Sequence, residues 1–130
     1  MLMKCNIKCH TDSNYISAFI SGEVSVERVK KLAIELIGIS KQTNVTRFLV
    51  DYRNGSLASS VTEVHKLPET LLELGISANE SFALVYQAGS PRAHLFNFFE
   101  SLCVFRPLNI KVFTNYDEAY QWLITKNKRY

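Results

Sequence analysis

Little in this chain marks a specialised class of protein. It has three cysteines, three prolines and five glycines in 130 residues. Three thiols cannot all pair within one chain, so Cys5, Cys9 and Cys103 read as reduced thiols in a reducing compartment, and no disulfide framework is expected. Apolar runs are short: Phe82-Ala83-Leu84-Val85-Tyr86 is among the longest, against the ~20 residues a membrane span needs. The first residues, Met1-Leu2-Met3-Lys4-Cys5-Asn6, lack the apolar stretch and cleavage site of a secretory signal, so the expected location is the cytoplasm. Neither sign of charge dominates. Fifteen Lys and Arg against twelve Asp and Glu leave +3, too mild and too evenly spread for a nucleic-acid surface.

Catalytic and metal motifs are missing as well. The sequence contains no G-x-S-x-G elbow, P-loop or G-x-G-x-x-G, so acyl transfer, nucleotide hydrolysis and dinucleotide binding lack their usual frameworks. Cys5, Cys9 and His10 invite a metal reading, but alternation puts both thiols on one strand face and the imidazole on the other. With no CxxC or HExxH to supply further ligands, the two thiols read as core or half-core residues and no metal or other cofactor is expected. His65 and His94 belong to separate helices, and nothing in the sequence joins either to Cys103 as a nucleophile–base couple. The expectation is a protein that is not an enzyme.

What is present is a strand and helix rhythm. The apolar share is 47% and the charged share 21%, ordinary for a globular chain, and the length suits one domain over residues 1–130. Met3, Cys5, Ile7 and Cys9 alternate with polar residues, which predicts a strand over residues 3–10; a turn at 11–14 and a second strand from Tyr15 to Ser21 complete a hairpin. Ser25 caps a helix over 26–41, and residues 47–52 form a strand buried on both faces. After a loop at 53–56, Ser60 and Glu63 make a capping box for a second helix over 61–74, with a kink or break expected at Pro68 and a stop at Gly75. A strand over 82–86 leads to Gly89-Ser90-Pro91, which should start a third helix running to about 105. Residues 110–113 make a fifth strand and Asn115 caps a last helix, before a solvated tail from Lys126 to Arg129. The order β-β-α-β-α-β-α-β-α predicts an α/β fold: a mixed five-stranded sheet with an N-terminal hairpin followed by parallel βα units.

Three segments carry a resemblance: Phe48-Leu49-Val50-Asp51-Tyr52-Arg53, Phe82-Ala83-Leu84-Val85-Tyr86, and the stretch from Lys111 to Leu123 with its Thr114-Asn115-Tyr116-Asp117-Glu118-Ala119 core. Together with Gly22-x-Val24 they resemble the SpoIIAA-like branch of the STAS superfamily, the sulfate transporter and anti-sigma-factor antagonist domains. That resemblance implies a module that docks partners, sometimes switched by phosphorylation, or senses ligands, and is usually not an enzyme. In the antagonists the phosphorylated hydroxyl lies in an Asp-Ser-Ser/Thr-Gly motif where a loop enters a helix. Here the loop from Asp51 to Ser60 departs from that motif, and only Ser59 and Ser60 occupy a comparable setting.

Loops and helix N-termini converge at the carboxyl ends of parallel strands, which points to two candidate places. Asp51, Arg53, Asn54, Ser59 and Ser60 precede the second helix, as a ligand or phospho-switch site or as ordinary caps and loop ties. Gln87, Gly89, Ser90 and Arg92 precede the third, as an anion site or simply a helix start. The third helix is apolar beyond one core-facing stripe, with Phe96 and Phe105 as candidate anchors of a subunit or partner interface, as walls of a pocket, or as residues covered by neighbours. The function expected is a non-catalytic regulatory or protein-interaction module, with a protein partner or a second copy in a homodimer. The alternative is a domain that binds a small acidic molecule or lipid at the strand ends. Neither nucleic acid nor membrane is an expected partner.

Overall fold

Why the helices gather on one side follows from the strand order. The computed structural model describes residues 3–126, in which β1 (Lys4–His10), β2 (Tyr15–Val24), β3 (Arg47–Leu57), β4 (Ser81–Val85) and β5 (Asn109–Phe113) lie in one sheet in the order β1-β2-β3-β4-β5. β1 and β2 are antiparallel, and each later pair is parallel. Every crossover steps to the next strand in the same direction. Right-handed connections then put α1 (Val26–Thr43), α2 (Val61–Glu73) and α3 (His94–Val104) on one face. The last helix, α4 (Tyr116–Lys126), covers the other face. The expected α/β architecture with its mixed five-stranded sheet is therefore present.

Alternation along the strands feeds two cores. Ile16, Ala18, Ile20, Phe48, Val50, Phe82 and Leu84 face the three-helix layer, where Leu36, Leu67, Leu71 and Phe99 meet them. Leu49, Ala83 and Val85 face the opposite way, against Ala119 and Leu123 of α4. These central strands are buried on both faces, as their unbroken apolarity requires.

Local chemistry sets most of the boundaries. Ser25 accepts the Arg28 N–H at the start of α1, and Asn44, in the left-handed region at φ 62°, donates its N–H to the Ser40 carbonyl and closes it. At α4, Asn115 Oδ1 accepts the Glu118 N–H at 2.9 Å. Gly75 follows α2 at φ 103°, a conformation that suits glycine.

Several expectations are corrected. α2 runs unbroken through Pro68, which is fully buried: the ring packs in the core, and that packing offsets the missing backbone donor. β3 does not end at residue 52 but continues to Leu57. Past Asp51 it pairs with β2 alone, so its outer residues need not be apolar. Between Asp51 and Asn54 it takes three steps while β2 takes two from Phe19 to Ser21, which is a β-bulge. α3 begins at His94, three residues later than Pro91, because Arg92 is left-handed at φ 63° and interrupts the helical run. Cys5 and Cys9 are exposed and belong to no core, since β1 is an edge strand that the helix layer covers only partly. Lys126 ends α4, and the rest of the expected tail, 127–129, lies outside the described residues.

Candidate functional site

The carboxyl ends of β2 to β5 share one rim because the four strands are parallel. Alternation splits the first candidate group across that rim. Asp51, 4% exposed, points away from the three-helix layer, and its carboxylate accepts from Arg53 alone: the backbone N–H at 3.0 Å, Nε at 3.0 and 3.2 Å, and Nη2 at 2.7 Å. The guanidinium lies 5.3 Å from the centre of the Tyr116 ring, and the Asp51 carboxylate holds it above its ordinary pKa. Tyr116 in turn stacks 6.5 Å from Phe19. This is a closed ion pair under an aromatic lid, which ties β3 to the start of α4. Asn54 is exposed opposite Ser21.

Ser59 and Ser60 lie on the other side, where the chain enters α2. Ser60 completes the capping box: its hydroxyl accepts the Glu63 N–H at 3.2 Å, and Glu63 Oε1 accepts the Ser60 N–H at 2.8 Å. It is exposed, whereas Ser59 is 3% exposed.

The second group makes a turn that is largely satisfied from within. Gln87 offers its carbonyl to the Ser90 N–H at 3.2 Å and the Ser90 hydroxyl at 2.7 Å, and Gly89 sits at φ 80° between them. Ser90 therefore closes its own turn and does not cap α3, whose N-cap position is held by Ala93 with no side-chain bond. Arg92 reaches further. Its Nη1 donates to the Ser59 carbonyl at 2.8 Å, across 33 residues of chain. The structure thus joins the loops before α2 and α3 into one seam and leaves Asp51 and Arg53 outside it.

The two aromatic candidates part company. Phe96 is half-buried, stacked 4.8 Å from Tyr86 at 5° and tilted against Tyr52 at 5.5 Å. Phe105 is 89% exposed, with Val104 beside it at 68%. Nine helical steps put them about 14 Å apart along the axis, at opposite ends of α3. Beneath the helices, against the sheet, is an apolar cavity of about 90 Å³; of the two aromatic residues read as candidate pocket walls, Phe96 lines it and Phe105 does not. Tyr52, Ser59 and Phe96 are among the residues that line it. Tyr52 could have been suspected from its place next to Asp51 at the end of the strand's apolar run.

No family model matches the sequence, and no curated protein does. Solved structures do resemble it. An uncharacterised protein of the DUF3478 family from Shewanella loihica, described as having a SpoIIAA-like fold, superposes with a TM-score of 0.57 at 17% identity over 93% of each chain. The fold is SpoIIAA-like. An anti-sigma factor antagonist from Mycobacterium paratuberculosis gives 0.60 at 17% identity, over 94% of each chain. At such identity the likeness is one of fold.

Within this SpoIIAA-like fold the remaining reactive side chains stay apart. Burial pushes the Cys103 thiol up to about 12, with the Arg106 guanidinium pulling weakly the other way, so at neutral pH it is a thiol and a poor nucleophile. His65 stacks on Phe98 at 6.4 Å, and His94 is exposed at the start of α3. No group of three or more His, Cys, Asp or Glu could hold a metal among the described residues. Nor is any described helix long and apolar enough to cross a membrane.

Proposed function

We propose that this chain is a non-catalytic regulatory module that docks a protein partner on the seam between α2 and α3, with Ser60 as the residue where docking is switched. The observation that carries this reading is the Arg92 to Ser59 bond at 2.8 Å, which fastens the α3 loop beside the exposed Ser60 and the 53% exposed Val61. A continuous, fixed surface with an accessible hydroxyl at a helix N-terminus suits a binding event that a phosphoryl group can alter. Added charge there meets the Glu63 carboxylate, whose Oε1 is bonded to the Ser60 backbone. Support of a different kind comes from the antagonist structure with the same fold. Exposed Cys5 and Cys9 suit the reducing cytoplasm.

Affinity capture from the native cell with the tagged protein tests the reading. Val61→Asp and Ser60→Asp should each lose the partner that the parent protein retains, while melting within about 2 °C of it, since Asp is as good an N-cap as Ser and Val61 is exposed. Identical captures by parent and both variants would sink the proposal.

A further inference from the structure

The cavity between the helix layer and the sheet has two polar side chains in its otherwise apolar lining, Tyr52 and Ser59. Tyr52 is 8% exposed and Ser59 3%; among the described residues no side-chain oxygen is both sealed off and unbonded, so these two hydroxyls, which take no partner from the described residues, stay open to the cavity. A hydroxyl open to a cavity is bonded by whatever occupies that cavity, water or a ligand. Two of them on one otherwise apolar wall give an occupant two polar anchor points. Ordinary caps and turn ties do not account for them: Ser60, not Ser59, caps α2, and the Ser59 bond to Arg92 uses the backbone carbonyl.

We propose that this cavity is a binding site for a small, uncharged, largely apolar molecule carrying one oxygen function, such as a phenol, an alcohol or a ketone, with the hydroxyls of Tyr52 and Ser59 as its polar contacts. Three features select that class. The walls are otherwise hydrocarbon and aromatic, among them Val50, Leu67, Leu84 and Phe96, which favours an apolar body. No charged side chain lines the cavity, so a carboxylate or an amine entering it has no counter-ion and is strongly disfavoured. A hydroxyl both donates and accepts, so each of the two contacts suits an alcohol or a carbonyl oxygen. Size limits the ligand further. An engineered apolar cavity of ~150 Å³ admits benzene, so about 90 Å³ holds roughly four non-hydrogen atoms as it stands, and a ring compound of about six or seven enters only as the walls yield. This site lies beneath the docking seam, sharing its two helices through inward-facing residues such as Leu67 and Phe99 and reaching the seam's loops at Ser59.

Phenol, benzene and decanoate are the probes, titrated into the isotope-labelled full chain while amide and methyl shifts are followed. Phenol should saturate at millimolar concentration with shifts centred on Val50, Leu84 and Phe96, and should bind about tenfold tighter than benzene. Ser59→Ala and Tyr52→Phe should each reduce that preference several-fold without weakening benzene. Ala33→Phe, which fills the space from α1, should abolish binding of both. If Ser59→Ala fails to fold, Tyr52→Phe decides. Absence of saturable shifts with phenol or benzene would overturn the proposal, and so would a phenol preference unchanged in both hydroxyl variants. Decanoate binding more tightly than phenol and depending on Arg92 would also overturn it, since the ligand would then be an acid held at the rim.

Discussion

Replacing Phe96 and Phe105 by alanine in turn separates a ring that holds the fold together from one that is free to meet something else. A wholly buried Phe→Ala change costs ~3–5 kcal/mol through lost transfer energy and the space left behind. Phe96 is only half-buried and already borders the cavity, which lowers the figure, while its contacts with Tyr86 at 4.8 Å and Tyr52 at 5.5 Å each add a fraction of a kcal/mol. About 2–3 kcal/mol results. For a chain of this length that is a fall in melting temperature of roughly 10 °C. Phe105, 89% exposed, should change stability by less than about 0.5 kcal/mol. Urea unfolding followed by circular dichroism measures both, with the slope expected to stay constant and only the midpoint of Phe96→Ala to move. A midpoint that moves equally in the two variants, or that moves only for Phe105→Ala, would refute the packing argument.

The capping box at α2 should be worth about 1 kcal/mol, so Ser60→Ala lowers the urea midpoint while Ser60→Asp does not; equal loss in both would show that the hydroxyl is not acting as a cap. Alkali should unfold the protein before it exposes a reactive Cys103. Burial raises Tyr15 from 10 to about 12 and Cys103 from 9 to about 12, and it raises Tyr52 further. The fold holds these groups in their neutral forms, so the stability they carry is complete below pH 9 and is lost as pH climbs from 9 towards 12. Urea midpoints measured from pH 7 to 11 should be level and then fall. A rise across that interval would contradict the burial of all three. Over the level part, Cys5 and Cys9 should react with a thiol reagent and Cys103 should not.

The fold was legible where burial imposes a period. Phe48 to Val50 and Phe82 to Val85 read as strands because both of their faces are covered, and Val64, Leu67 and Leu71 read as a helix because one stripe is. Legibility failed where pairing is not accompanied by burial. Arg53 to Ser56 is polar, contains a glycine and reads as a loop, yet its backbone pairs with β2. At Gly55 a Cβ would lie 3.0 Å from a Val24 methyl, so the glycine marks close strand approach there and not a turn. The start of α3 was misplaced for a different reason. Gly89-Ser90-Pro91 is a sound local start signal, but the bond from Arg92 to the Ser59 carbonyl, a partner far along the chain, accompanies a backbone conformation that no local pattern predicts. The thiols of β1 follow the alternation correctly, but alternation does not say whether a neighbour covers the strand.

For the site the limit was the same. Most candidate residues were found at the ends of strands or in the loops that follow them, and Phe96 and Phe105 on a helix, but which of these segments touch depends on topology. In doubly wound sheets the strand order reverses, and the crevice at the reversal is the usual binding place. This sheet runs from β1 to β5 without reversal, so no such crevice forms at its rim. Three helices lie on one face instead, and the space between that layer and the sheet becomes the chamber lined by Tyr52 and Ser59, while Arg92 bridges the loops at the rim outside it. Ser59 belongs to both places, its carbonyl fastened to the outer seam and its hydroxyl on the chamber. Any occupant that bonds the hydroxyl therefore acts on the residue next to the cap of α2, the point where a docked partner would meet the protein.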